Sequence, residues 1–337
     1  MTQPAGSFGS WQNHGFGLAL RSAFPLVGCE AGPTDDRPLV RLVLAVRSEL
    51  TADFAPEGTS VIAHRHGPSG RPLARLQAHP RGGYLISSPG KGLFQVSARG
   101  DLVRCAPNAV ASWLWQRSLL GEVLPFVSAL RGMEALHASA VVPGAGLPAI
   151  AVAGASGAGK SSLAVELILR GAALLADDVT VVENRGAEVM AHPAMGLLSV
   201  RPAAAARLEQ RILDGRIGTS HDSIRLALRR EEKPVRLGAI YFLQPPGAAR
   251  SLRLIEVRTL RPGLLLGSTF NIALRTPQRL IAQLDACAAM ATSVRMVRVN
   301  LPAAVDFSVV AERLLADAKA AGLLADAPAA ALLARRR

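Results

Sequence analysis

Cysteine, aromatic residues and acidic side chains are all scarce in this chain. There are only three cysteines, Cys29, Cys105 and Cys287, and none belongs to a C-x-x-C pair. That spacing excludes a zinc ribbon and a disulfide framework, and it suits a reducing, cytoplasmic compartment. Aromatic residues are 4% of the chain against 50% apolar residues overall, so the core is expected to be aliphatic. The N-terminus shows no basic stretch followed by a clean apolar run, which argues against a secretory signal. The uncharged stretch His137 to Gly159 is broken by Pro143, Pro148 and several glycines, as strand–turn–strand structure would be and a membrane span would not.

The acidic deficit, 25 Asp and Glu against 38 Lys and Arg, leaves a net charge of +13. Such a surplus steers anionic partners, but the arginines are scattered. The dense basic stretches are Arg225–Arg230 and Arg335–Arg337. A solvated arginine-rich surface accounts for most of the charge, and no specific nucleic-acid or membrane partner is indicated.

At 337 residues the chain has the length of two domains. Residues 1–37, rich in Gly and Pro, read as a flexible lead-in. From Leu39 to Cys105 short apolar runs alternate with the turn signals "GPSG", "PRGG" and "SPGKG", which predicts a small antiparallel sheet. A connecting helix is expected from about Asn108 to Arg131, completing a β-rich domain over 38–131. Trp113 and Trp115 on that helix read as packing residues rather than a base-stacking pair. Residues 132–323 mix strands and helices, and 324–337 form an Ala- and Arg-rich tail. Helices are predicted over 203–213, 275–291 and 307–323.

One motif carries chemistry. Gly154, Gly159, Lys160 and Ser161 satisfy G-x-x-x-x-G-K-[ST], between the apolar run Ala149–Ala153 and a helix-like run Ser162–Arg170. Glycines at 154, 157 and 159 let the backbone of Gly154, Ala155, Ser156, Gly157, Ala158 and Gly159 turn its N–H groups toward phosphate oxygens at a helix start. Lys160 then reaches the β- and γ-phosphates of ATP, Ser161 ligates Mg²⁺, and Ser162 continues the helix. Asp177 and Asp178 end the next apolar strand, "AALLADD", at the edge where open α/β sheets bind ligands. Adjacent strand residues face opposite ways, so the pair is expected to divide its work: Asp177 as base toward the acceptor hydroxyl, Asp178 as Mg²⁺ ligand. His137, at the head of "HASAVV", could orient that base, although an isolated histidine is more often structural.

The stretch "LHASAVV…AIAVAGASGAGKSSLAVELILRGAALLADDVTVVE" resembles the catalytic core of the HPr kinase/phosphorylase family, bacterial serine kinases related to phosphoenolpyruvate carboxykinase. The shared features are the histidine two strands before the loop, the loop itself, an "RG" after the helix and the Asp-Asp pair. The resemblance spans about residues 136–185. It implies an α/β P-loop kinase domain of that type, here behind the β-rich α+β N-terminal domain read from the turn signals, with His137 and Asp177 activating the hydroxyl, Ser161 and Asp178 on Mg²⁺, and Lys160 on phosphate. Ala155 stands where the family has an acidic residue, and the glycine- and glutamate-rich second signature is absent between Ala203 and Arg236. "RPGLLLGSTFN" at 261–271 is only faintly similar to a late segment of the family. The first half is more similar to HPr-kinase-related proteins found beside peptide-modification genes.

The expected activity is ATP- and Mg²⁺-dependent phosphorylation of a serine hydroxyl on a protein or peptide, with Arg225, Arg229 and Arg230 attracting that partner. This expectation also admits a homo-oligomer. A small-molecule kinase and a non-catalytic ATP-binding regulator remain open as alternatives.

Overall fold

The computed structural model describes residues 11–28, 36–54, 59–66, 72–110, 113–208, 212–220, 223–247, 249–257, 262–270, 274 and 276–324. Cys29, Arg335–Arg337 and all but the first residue of the expected tail lie outside them. The protein is a mixed α/β structure with several sheets. Its contacts divide it into two units, 1–132 with 271–280, and 133–270 with 281–337. Residues 271–280 thus group with the first unit, which the linear boundaries 38–131 and 132–323 do not anticipate.

The first unit opens with β1 (Trp11–Gly15) and β2 (Leu18–Ser22), then β3 (Leu39–Leu44) and α1 (Arg47–Asp53). β4 (Ser60–His66), β5 (Pro72–Ala78), β6 (Tyr84–Ser88), β7 (Gly92–Val96) and β8 (Leu102–Pro107) follow as a meander. They form one eight-stranded sheet in the order β1-β2-β3-β8-β7-β6-β5-β4. Two expectations change here. Residues 11–22 are a hairpin rather than a loose lead-in: Phe16 (φ 59°) and Gly17 (φ 75°) supply the two consecutive positive φ values that a tight two-residue turn requires. The sheet is also not wholly antiparallel, because β2 with β3 and β3 with β8 run parallel.

The connecting helix is shorter and less regular than expected. It consists of α2 (Leu114–Ser118), a π-helical turn over Leu119–Val123 and α3 (Leu124–Leu130). Trp115 is buried edge-on against Phe24, centroids 4.9 Å apart, and donates its indole N–H to Val110 O.

The second unit contains β9 (Glu134–Leu136), β10 (Ala138–Val142), β11 (Ala149–Gly154), α4 (Lys160–Leu169), β12 (Ala173–Ala176), β13 (Thr180–Asn184) and β14 (Val189–His192). Next come β15 (Leu197–Val200), α5 (Pro202–Leu208), β16 (Ile212–Ser220), β17 (Ser223–Leu228), β18 (Val235–Leu243), β19 (Arg253–Glu256) and α6 (Pro262–Leu266). α7 (Pro277–Ser293), β20 (Arg295–Asn300) and α8 (Phe307–Ala320) complete the order. The expected helix 203–213 stops at Leu208, and its last positions enter β16 instead.

A nine-stranded sheet runs β12-β10-β11-β18-β14-β13-β9, with β20 and then β19 continuing from β18. A separate three-stranded sheet has the order β15-β17-β16. β11, β18 and β20 are parallel, so their C-terminal ends share one edge. One core lies under α4 and α8, where Leu163, Leu167, Val310 and Leu314 meet Val152, Tyr241 and Val299 from the strands. Each fully buried aliphatic side chain there contributes about 1.5–3 kcal/mol.

Candidate functional site

α4 is covered nearly all round, with Leu163, Ala164, Val165, Leu167 and Ile168 all buried, as its consecutive apolar residues require. Gly171 ends it: at φ 103° its N–H reaches Ile168 O while Ala172 N–H reaches Leu167 O, a left-handed cap that only glycine takes without strain. The other end starts directly from β11 through the loop Gly154–Gly159. At Gly154 (φ 155°) a β-carbon would lie 2.8 Å from Leu243 O. At Gly159 (φ 100°) it would collide with the Phe307 ring. Glycine is therefore required at both ends of the loop.

Ala155, Ser156 and Gly157 are exposed, Ala158 is buried, and Ser161 and Ser162 are half-buried in the first turn of α4. No side chain caps that helix, so its first N–H groups remain available to an anion in the loop. Lys160 is buried and folds back over the loop, Nζ donating to Gly154 O (3.0 Å) and Ala155 O (3.1 Å). Burial lowers its pKa, while Asp178 and Asp177 act in the opposite direction.

The two aspartates sit where two strand pairs are interrupted at the same level. Leu136 pairs with Thr180, and Ala140 with Ala176, in one continuous antiparallel register. That register sets Ser139 opposite Asp177 and His137 opposite Val179, but the ladder breaks between them. Asp178 is the cause on one side. It takes φ 65°, and Val179 N–H closes a three-residue turn onto Asp177 O at 2.8 Å. A non-glycine residue in this conformation is uncommon and costs on the order of 1–3 kcal/mol. Thr180 Oγ1 spans the gap to Ala138 O (2.8 Å).

The kink sends the two carboxylates different ways. Asp177 is buried: Oδ1 accepts from Ser139 Oγ (2.6 Å) and Ser161 Oγ (3.0 Å), and Oδ2 from Ser199 N–H (3.0 Å). Burial raises its pKa above the ordinary carboxylate range, and the charge of Asp178 adds to the rise; hydrogen bonds from Ser139 and Ser199 and the charge of Arg225 oppose it. Asp178 keeps about half its side chain exposed, 48%, with Arg225 Nη2 at 3.6 Å. The sequence expectation paired Ser161 with Asp178. The structure pairs it with Asp177, because β12 delivers Asp177 straight to the start of α4 and the turn at Asp178 swings the next side chain away.

His137 is half-buried at the bend between β9 and β10, and its backbone N–H donates to Ser268 O (2.6 Å). Thr269 bridges to Leu136, and Phe270 N–H reaches Ala135 O (2.7 Å). The segment 268–270, part of "RPGLLLGSTFN", thus covers the outer edge of β9 beside His137.

Sequence reasoning missed Ser139, Ser199 and Arg225 as members of the site. Ser139 was legible in principle, two residues after His137. Ser199 and Arg225 were not, because they arrive on β15 and β17, cross-strand partners in the small sheet. Arg225 therefore does not belong to an exposed basic patch: its side chain is 11% exposed.

The donor set fits a divalent cation held jointly with phosphate. No cluster of three or more His, Cys, Asp or Glu suitable for a metal occurs among the described residues. A small hard cation bound through one serine oxygen, one or two carboxylates and phosphate oxygens needs no such cluster.

No family model matches this chain, and no curated protein matches it. Among solved structures it is similar to the HPr(Ser) kinase/phosphatase from Coxiella burnetii, with a TM-score of 0.29 and 12% identity, over 56% of this chain and 98% of that one. At that TM-score the likeness identifies neither fold nor activity, and the chemistry of the site stands on its own residues. No described helix is long and apolar enough to cross a membrane.

Proposed function

We propose that this chain is an ATP-dependent kinase of the HPr-kinase-related kind, transferring the γ-phosphoryl group of ATP to a hydroxyl, most simply a serine, on a protein or peptide. The observation that carries this reading is the contact between Ser161 Oγ and the buried Asp177 carboxylate, 3.0 Å, at the helix start that closes the glycine loop. In the reaction the bond from the γ-phosphorus to the β–γ bridging oxygen breaks. The acceptor oxygen bonds to phosphorus, ADP leaves, and the hydroxyl proton passes to a carboxylate.

Loop N–H groups and Lys160 hold the phosphates. Lys160 must exchange its bonds to Gly154 O and Ala155 O for phosphate oxygens, which reopens the loop. Ser161 and Asp177 would hold Mg²⁺, whose part is to neutralise charge on the phosphate oxygens. Asp178 and His137 are left for the acceptor, Asp178 because its carboxylate reaches solvent, where a hydroxyl from another molecule can approach. This assigns the aspartates in the reverse sense to the resemblance.

The test is phosphate transfer from labelled ATP to a panel of serine peptides, with Asp177→Asn and Asp178→Asn beside the wild type. Asp177→Asn should lose Mg²⁺-dependent nucleotide binding. Asp178→Asn should bind Mg-ATP normally and transfer about 10²–10⁴-fold more slowly. Equal loss of binding in both variants would refute the division of roles. ATP consumption driven by a small metabolite rather than a peptide would overturn the acceptor class, and ATP binding without turnover on any acceptor would overturn the kinase.

A further inference from the structure

Three features place Arg225 at the acidic pair. Its side chain is nearly buried, with 11% exposed, yet its guanidinium points at the half-exposed Asp178, Nη2 to Oδ2 3.6 Å. Its cross-strand partner Ser199 donates its N–H to Asp177, so one rung of the small sheet engages both aspartates. Its charge also acts on Asp177. Lys160 meanwhile is committed to loop carbonyls. Two neighbouring carboxylates at a half-buried edge repel each other unless cations stand by; Lys160 acts on both from within the loop, and Arg225 is the cation paired with Asp178.

We propose that Arg225 is a tethered counter-ion: in the nucleotide-free protein it neutralises Asp178 and so weakens the pull of the acidic pair on a divalent cation at Ser161 and Asp177, and on release it binds an oxygen of the phosphoryl group being transferred. This rests on the kinase reading for its last step only. A guanidinium suits it, being always charged and geometrically matched to both carboxylate and phosphate. The rung that carries it is fixed, because Ser199 N–H is tied to Asp177. The freed guanidinium therefore stays within side-chain reach of the site.

Two readouts should move in opposite directions. Removing the charge in Arg225→Met should tighten Mn²⁺ binding to the nucleotide-free protein roughly fivefold, the scale of one partly exposed ion pair. The same variant should lower the turnover number for phosphate transfer by about 10²–10³-fold, as loss of one preorganised electrostatic contact does. Mn²⁺ affinity is read from the electron paramagnetic resonance signal of free Mn²⁺ and requires no turnover. Asp178→Asn should cancel the gain, so that the double variant binds Mn²⁺ no more tightly than Asp178→Asn alone. Arg225→Lys should keep wild-type Mn²⁺ affinity and recover part of the turnover; it carries the test if the methionine variant does not fold. A merely structural arginine would weaken cation binding and turnover together, and that result, or unchanged Mn²⁺ affinity, overturns the proposal. Absence of transfer by the wild type with the Mn²⁺ gain intact would sink the kinase reading and the phosphoryl step, while leaving the counter-ion.

Discussion

Asp177 is the residue whose environment is most at odds with its chemistry. A carboxylate that is to hold a cation must be ionised, yet burial and the adjacent Asp178 both push its pKa up. The three hydrogen bonds it accepts offset part of that cost, since each favours the charged form. As pH falls, Asp177 therefore takes up its proton at a higher pH than an ordinary aspartate, at about 3.9, would. Cation affinity, present above that point, should be lost as pH drops through it. Removing the neighbouring charge in Asp178→Asn should move the loss to lower pH. Mn²⁺ titrations of the nucleotide-free protein across pH 4–8 would measure both; coincident curves for the two proteins would show that Asp178 does not act on Asp177. The motif from Gly154 to Ser161 and the aspartate pair were plain in the sequence, because loop and strand sit side by side in the chain. Which carboxylate faces Ser161 was not, because it hangs on a single positive φ at Asp178 that composition does not announce.

Among elements, the pairing of α4 with α8 is what fixes the loop. Phe307 opens α8, whose start Asp306 secures by accepting from Ser308 N–H at 2.9 Å. Its ring rests against Gly159, the last loop residue. Arg170, at the far end of α4, ties the same two helices through Ser308 O, Ser308 Oγ and Glu312. Gly159→Ala should therefore cost stability twice, through strain at φ 100° and through displacement of Phe307, for a total of about 2–4 kcal/mol. Adding Phe307→Ala should relieve the second part only, so the double variant is less destabilised than the sum of the singles. Thermal or denaturant unfolding reads this directly, and strict additivity would mean the ring is not what the methyl group meets. Elements of this kind were largely legible: β10, β11 and α4 follow from apolar runs on either side of the glycine loop, and α8 from its helix-like run. The hairpin 11–22 was hidden because Phe16 occupies a turn position that usually announces itself by Asn or Asp. β16 was hidden because the helix of alanine-rich 203–208 was expected to run on to 213, and β17 because Arg225 read as part of a basic stretch.

At the scale of the whole molecule, the chain leaves the second unit at residue 270 and returns at 281, lending 271–280 to the first. Leu274 and Arg279 within that excursion are buried, at 6% and 7% exposure. A fragment starting at Met133 would keep the glycine loop, Asp177, Asp178 and Arg225, but it would leave the buried Leu274 and Arg279 without the unit they group with. The bare fragment 133–337 should consequently be prone to aggregate and should melt below the full chain, even though its proposed nucleotide site is complete in sequence. Replacing 271–280 in the fragment by a Gly/Ser stretch of equal length should restore a soluble species that still binds Mg-ATP, because a flexible connection exposes no apolar surface and costs little closure entropy. The measurements are sedimentation of both fragments and nucleotide titration of the soluble one. A bare fragment that is monodisperse and melts with the full chain would show that 271–280 needs nothing from the first 132 residues. A soluble replaced fragment without nucleotide binding would mean instead that the first unit contributes to the site itself.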